Sequence, residues 1–143
     1  MHDVLHPAGW GPAIGYANGI VADGRLVFLG GQIGWDASQA FASDDLVDQV
    51  RQALENLVVV LAEAGGRSAH IVSMTWFLTN LDDYAAQRKA IGRVYRNIMG
   101  RHYPAMAVVE VSRLVEHRAK VEIQATAVLP REKVRPTTNP ACG

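Results

Sequence analysis

Three β-rich stretches of this chain carry large apolar side chains on both faces, and only two helical segments are available to cover them. That imbalance constrains the fold more than any single motif. In "HIVSMTWFLT" (70–79), Val72, Met74 and Trp76 alternate with Ile71 and Phe77. In "AMAVVEV" (105–111), Met106 and Val108 alternate with Ala107, Val109 and Val111. "RLVFLGG" (25–31) is apolar on both faces too. Successive strand side chains point to opposite sides, so a sheet built from these stretches is apolar on both surfaces. Two helices cover one surface, and a soluble monomer does not leave the other bare. The pattern therefore predicts self-association through the open sheet face, where each buried aliphatic side chain contributes ~1.5–3 kcal/mol.

The helices are read from their spacing. Leu46, Val50, Ala53, Leu57, Val60, Leu61 and Ala64 fall on one stripe at helical period. Ser43 or Asp44 is the expected cap and Gly65-Gly66 the expected stop. A second helix opens at Asn80 or Asp82 and closes at Gly100, with Tyr84, Ile91, Tyr95 and Ile98 inward. Arg88 lies on that same stripe, one turn after Tyr84. "GIVADGRLVFLGGQIG" predicts two strands around an Asp23-Gly24 hairpin turn. Residues 105–114 and 119–130 read as two further strands joined by the charged turn "VEHR". In the last strand, Val121, Ile123, Ala125, Ala127 and Leu129 take one face, and Lys120, Glu122, Gln124, Thr126 and Val128 the other. The order is ββαβαββ, an α+β domain over residues 1–130 with two helices on one face of the sheet. Residues 1–18 form an irregular lead-in, and the polar tail 131–143 is expected to be loose.

Composition narrows the partners. Among 143 residues, Lys plus Arg and Asp plus Glu number 14 each, so no basic surplus points to nucleic acid. Arg88, Arg93, Arg96 and Arg101 cluster on the second helix, and for the last three a solvated face is the preferred reading. Cys142 is the lone cysteine, which fits a reducing cytosol and a cytoplasmic location. The N-terminus lacks the basic and apolar regions of a signal peptide, and no apolar run is long enough for a membrane span. The five histidines show no ligand spacing, so no metal is expected.

The segments "GGQIGWD", "QVRQALENLVVVLAEAGG", "IVSMTWFLTNLDDY", "YPAMAVVEVSRL" and "KVEIQATAVLP", in that order, resemble the Rid family. This is the reactive-intermediate deaminase group, also known as YjgF and once labelled L-PSP endoribonuclease. The resemblance runs over about residues 12–130. It implies a chorismate-mutase-like fold with a mixed sheet, a homotrimer, and a small-molecule cleft at each subunit interface. Active members of such a family hydrolyse imines and enamines of amino acids to 2-keto acids and ammonia without a cofactor. An arginine there pairs bidentately with the substrate carboxylate.

Carried over position by position, the resemblance gives a partial site. The family's Pro-Ala-Arg is Pro104-Ala105-Met106 here, so the carboxylate-binding arginine is replaced by a flexible apolar side chain. The serine that often precedes Gly-Gln is Gly30, before Gly31-Gln32. Tyr16 stands one residue from the family's early tyrosine. Glu122 keeps the acid of the last strand and is the candidate general base, since burial at an interface disfavours an ionised carboxylate. Glu110 and Arg113 match a Glu-Val-x-Arg stretch, with Glu110 read as structural. Arg88 is the first candidate replacement cation, the alternative being a stem that packs while its head reaches water, and Arg113 is the second, the alternative being a salt bridge. Trp35 is either a wall for a flat ligand or simple loop packing, and Trp76 is core or interface. Gly30 and Gly31 permit close backbone approach to a ligand or a neighbouring chain. Three functions follow: a hydrolase of an imine, enamine or related metabolite with altered specificity; a non-catalytic trimeric binder of a small metabolite; and, weakest at zero net charge, an endoribonuclease or translation inhibitor.

Overall fold

A computed structural model describes residues 2–132; Cys142 and the tail beyond Glu132 lie outside the described residues. The central sheet holds β3 (Arg25–Ile33), β4 (Ile71–Leu78), β5 (Ala105–Glu110) and β6 (Val121–Leu129), in the order β3-β6-β4-β5. β6 runs antiparallel to both neighbours and β5 parallel to β4, so the sheet is mixed. Helices α1 (Leu46–Ala62) and α3 (Arg88–Met99) pack on one face, and the architecture is α+β.

The faces of β6 are those the alternation predicts: Val121, Ile123, Ala125, Ala127 and Leu129 are all buried against the helices. Leu57 and Leu61 of α1 and Val94 and Met99 of α3 meet them in one core, with Met74, Trp76 and Leu78 of β4. On the opposite face none of the described residues covers Leu26 and Phe28, which are 61% and 76% exposed, and Val109 beside Phe77 is exposed as well. Ile71 joins the core rather than that open face, because the β4–β6 register shifts between Ile71 and Ser73.

Helix α1 is capped by Asp45, whose carboxylate accepts the Asp48 N–H at 3.1 Å, rather than by Ser43 or Asp44. Ser43 instead donates its hydroxyl to Asp48. The helix ends where Gly65 adopts φ 77° and the Gly66 N–H returns to the Leu61 carbonyl at 3.1 Å. Val60 and Ala64 fall outside the buried stripe, and Gln49 and Leu54 fall inside it. Gln49 is buried because it has partners. Its amide donates to the Ser43 and Arg118 carbonyls, and its oxygen accepts the Lys120 N–H at 2.8 Å. One side chain thereby ties the 111–120 connection to α1.

Three expectations about the elements are corrected. The Asp23-Gly24 turn does separate two strands, but they do not pair: β2 (Gly19–Val21) pairs with β1 (Asp3–Leu5), a strand in the lead-in. The second helix is two, α2 (Leu81–Ala86) and α3, divided at Gln87, whose N–H is shared between the Asp83 and Tyr84 carbonyls. Asn80 caps α2 and Gly100 ends α3, as the sequence suggests. Finally, β5 and β6 are shorter than predicted and are not neighbours. β4 lies between them, so 111–120 is a crossing loop and not a turn.

Candidate functional site

β5 is an edge strand, and the lead-in runs beside it. The Ala17 N–H donates to the Pro104 carbonyl at 3.0 Å, and Ala17 bridges Ala105 in parallel. This seam, with α2 and α3, bounds an open cavity of ≈ 600 Å³ on the helix side of the sheet, a size that suits a small organic ligand. Its floor is Trp76, Met106 and Val108. Met106 stands opposite Met74, whose side chain is buried in the core, and is itself partly buried. Tyr16 and Ile14 come from the lead-in, and Arg88, Gly92 and Arg96 from α3. Arg88 is exposed at the mouth rather than packed in the helix stripe.

Aromatic rings give the cavity a rigid wall. Tyr95 stacks on Tyr103 with centroids 5.3 Å apart and planes 9° from parallel, and Tyr84 meets Trp76 edge-on at 6.3 Å. The Tyr95 hydroxyl donates to the His102 carbonyl at 2.7 Å. Burial, and then the neighbouring Tyr103, push its pKa well above the usual phenol range, so it stays a neutral donor. The Trp76 indole N–H is buried and meets no acceptor among the described residues.

Glu122 is elsewhere. It pairs with Phe77 on the open face, whereas Met106 shares the helix-covered face with Met74. The two groups expected in one hollow therefore lie on opposite faces of the sheet within one chain. The reason is strand parity: Glu122 is one residue from the buried Ile123, and Met106 registers with a core residue. Gly31 lies directly beneath Glu122; a Cβ there would stand 2.8 Å from the carboxyl carbon. The close approach that this glycine permits is thus to Glu122 of its own chain. Gly30 occupies the irregularity between Leu29 and Gln32 with open space around it.

Of the candidates, the structure gathers Tyr16, Arg88 and Met106 at the cavity and Gly31 with Glu122 on the other face. Trp35 belongs to neither group. Its ring tilts against Phe41 at 6.0 Å, and its carbonyl accepts from Asn56. Glu110 accepts the Leu81 N–H at 3.1 Å, a carboxylate at the start of α2. The aromatic wall and Arg96 were not singled out as a site from sequence, because Tyr84 and Tyr95 at helical spacing read equally well as core. Among the described residues no group of three or more metal-ligating side chains converges.

The family model described as Endoribonuclease L-PSP matches residues 9–129. The 2-iminobutanoate/2-iminopropanoate deaminase of Salmonella typhimurium is 34% identical over 125 residues, 85% of this chain and 91% of that protein. Among solved structures, the Rid family protein YyfB from Yersinia pestis superposes with a TM-score of 0.80 at 28% identity, covering 90% of this chain and 98% of that one. Escherichia coli TdcF, solved with bound serine, gives a TM-score of 0.65 at 32% identity over 89% of this chain and 98% of its own. The family match over most of the chain, the shared fold and the matched length lead to one statement: the chain belongs to the Rid family, the group also known by its endoribonuclease L-PSP description.

Proposed function

We propose that this protein is a small-molecule hydrolase of the Rid kind, acting on an imine or enamine at clefts between subunits of a homotrimer. One observation carries the reading: the cavity and Glu122 sit on opposite faces of one sheet, each beside surface that is unfinished in a single chain. A neighbour docking its open face, with Phe28 and Glu122, against the cavity rim of the next subunit completes both. Burying Leu26 and Phe28 in that contact contributes ~1.5–3 kcal/mol for each side chain.

In the completed cleft, Glu122 takes a proton from water as the water oxygen bonds to the imine carbon and passes that proton to the imine nitrogen, giving a neutral carbinolamine. The tetrahedral carbinolamine then collapses. Glu122 takes the hydroxyl proton and delivers it to the nitrogen as the C–N bond breaks, so ammonia leaves, a carbonyl forms and the carboxylate is regenerated. Water is the only co-reactant. The relatives' deaminase names support this reaction class, and the serine bound by TdcF supports a small polar ligand. Met106 in place of an arginine supports altered specificity, and it favours a second reading, a trimeric binder without turnover. The neutral net charge supports a small-molecule partner rather than RNA. We place the protein in the cytoplasm on its single cysteine.

The test is ammonia release from imines generated in place by an amino-acid oxidase, with semicarbazide as a competing trap. The hydrolase reading expects turnover that falls at least ~100-fold in Glu122→Gln. Equal rates in the two proteins contradict it.

A further inference from the structure

The cavity's chemistry points past the short aliphatic imines. We propose that its substrates are imines of aromatic amino acids, with the ring held by the Trp76–Tyr84–Tyr95–Tyr103 wall and the carboxylate held by Arg88 and Arg96. This rests on the cavity being the substrate half of the site proposed above.

The cation is the first argument. Arg88, Gly92 and Arg96 are spaced four apart, so they lie along one stripe of α3, and all three line the cavity. Neither arginine has an ion pair or a side-chain hydrogen bond among the described residues. The Arg96 guanidinium is folded back over Gly92, where an added Cβ would stand 3.3 Å from Nη1. Glycine in a helix interior is unfavourable. Its place here leaves room for that guanidinium at the mouth. Two unpaired forks on the rim therefore offer what Met106 cannot, a charge-assisted site for a planar carboxylate.

The wall is the second argument. Tyr84 and Tyr103 are half-buried and offer ring surface to the cavity, while the buried Trp76 and Tyr95 pack against them and fix their orientation; such rings favour another ring through offset or edge contacts. Trp76 also keeps an unused, buried N–H donor in this wall. In ≈ 600 Å³ of open space, a phenyl or indole ring covers more of this aromatic surface than an alanine-sized ligand does.

The probes are 3-phenylpropionate, propionate and 2-phenylethylamine, measured by calorimetry on the full chain. The proposal expects 3-phenylpropionate to bind at least ~10-fold tighter than either, since each of the others lacks one recognised part. Arg88→Gln and Arg96→Gln should each weaken it by about 10-fold or more, with Arg88→Lys recovering part of the loss. Equal binding of the three probes, or unchanged affinity in both glutamine variants, overturns it. Parallel turnover with phenylalanine-derived and alanine-derived imines separates the two claims. Hydrolysis of the alanine imine alone overturns the aromatic assignment and leaves the hydrolase reading intact. Tight 3-phenylpropionate binding with neither imine hydrolysed supports the aromatic site and contradicts the hydrolase reading.

Discussion

At the scale of single residues, the candidate site depends on which strand positions face which way. Glu122 and Met106 belong to different faces because each is fixed by a buried strand neighbour, Ile123 for one and Met74 for the other. Gly31 shows how local the constraint is. Glu122 lies flat over it, and any side chain there would stand within 3 Å of the carboxyl group. Gly31→Ala should therefore displace the carboxylate while disturbing the fold little, because Gly31 is exposed and Glu122 can swing outward. The expected result is a loss of kcat of ~10-fold or more with a midpoint of thermal unfolding within a few degrees of the parent. An unchanged kcat contradicts the placement of Glu122 as the base. Gly31 was legible in the sequence as a point of close approach, but not what approaches it, because that depends on the β3–β6 register.

At the scale of elements, the stripes and stops were legible where the signal is short-ranged. The α1 stop at Gly65-Gly66, the α2 cap at Asn80 and the inward face of β6 all follow from residue types within a few positions. What failed was pairing. The Asp-Gly signal at 23–24 marks a turn, yet it cannot state that residues 3–5 of the lead-in compete for β2. The break at Gln87 carries neither Gly nor Pro, so the 80–100 pattern reads as one helix. Helix α3 itself makes a prediction through Gly92. Gly92→Ala should raise stability by about 1 kcal/mol from helix propensity, since among the described residues, the helix backbone aside, the near atom is the end of the mobile Arg96 side chain. The same change should weaken 3-phenylpropionate binding by pushing the Arg96 guanidinium off its seat. Thermal unfolding and calorimetry read the two effects separately, and a variant that gains stability with undiminished affinity contradicts the role given to Arg96.

At the scale of the whole molecule, the imbalance between apolar sheet surface and available helices is the feature with the widest consequence. The structure leaves Leu26 and Phe28 bare on the face that also holds Glu122, and the cavity open on the other side of the sheet. An apolar face was legible from alternation alone, whereas the separation of Glu122 from the cavity was not, because it needs the register of β5 and β6 against β4. The central claim is that the working cleft takes its cavity from one subunit and its acid from the next. The direct measurement mixes two inactive parents, Glu122→Gln and the cavity-filling Met106→Trp, by co-refolding, after ultracentrifugation has shown both to be trimers. Random assembly of complementary halves should restore roughly a quarter of the parental activity per site. A mixture of intact trimers that remains as inactive as its parents would contradict a site shared between chains.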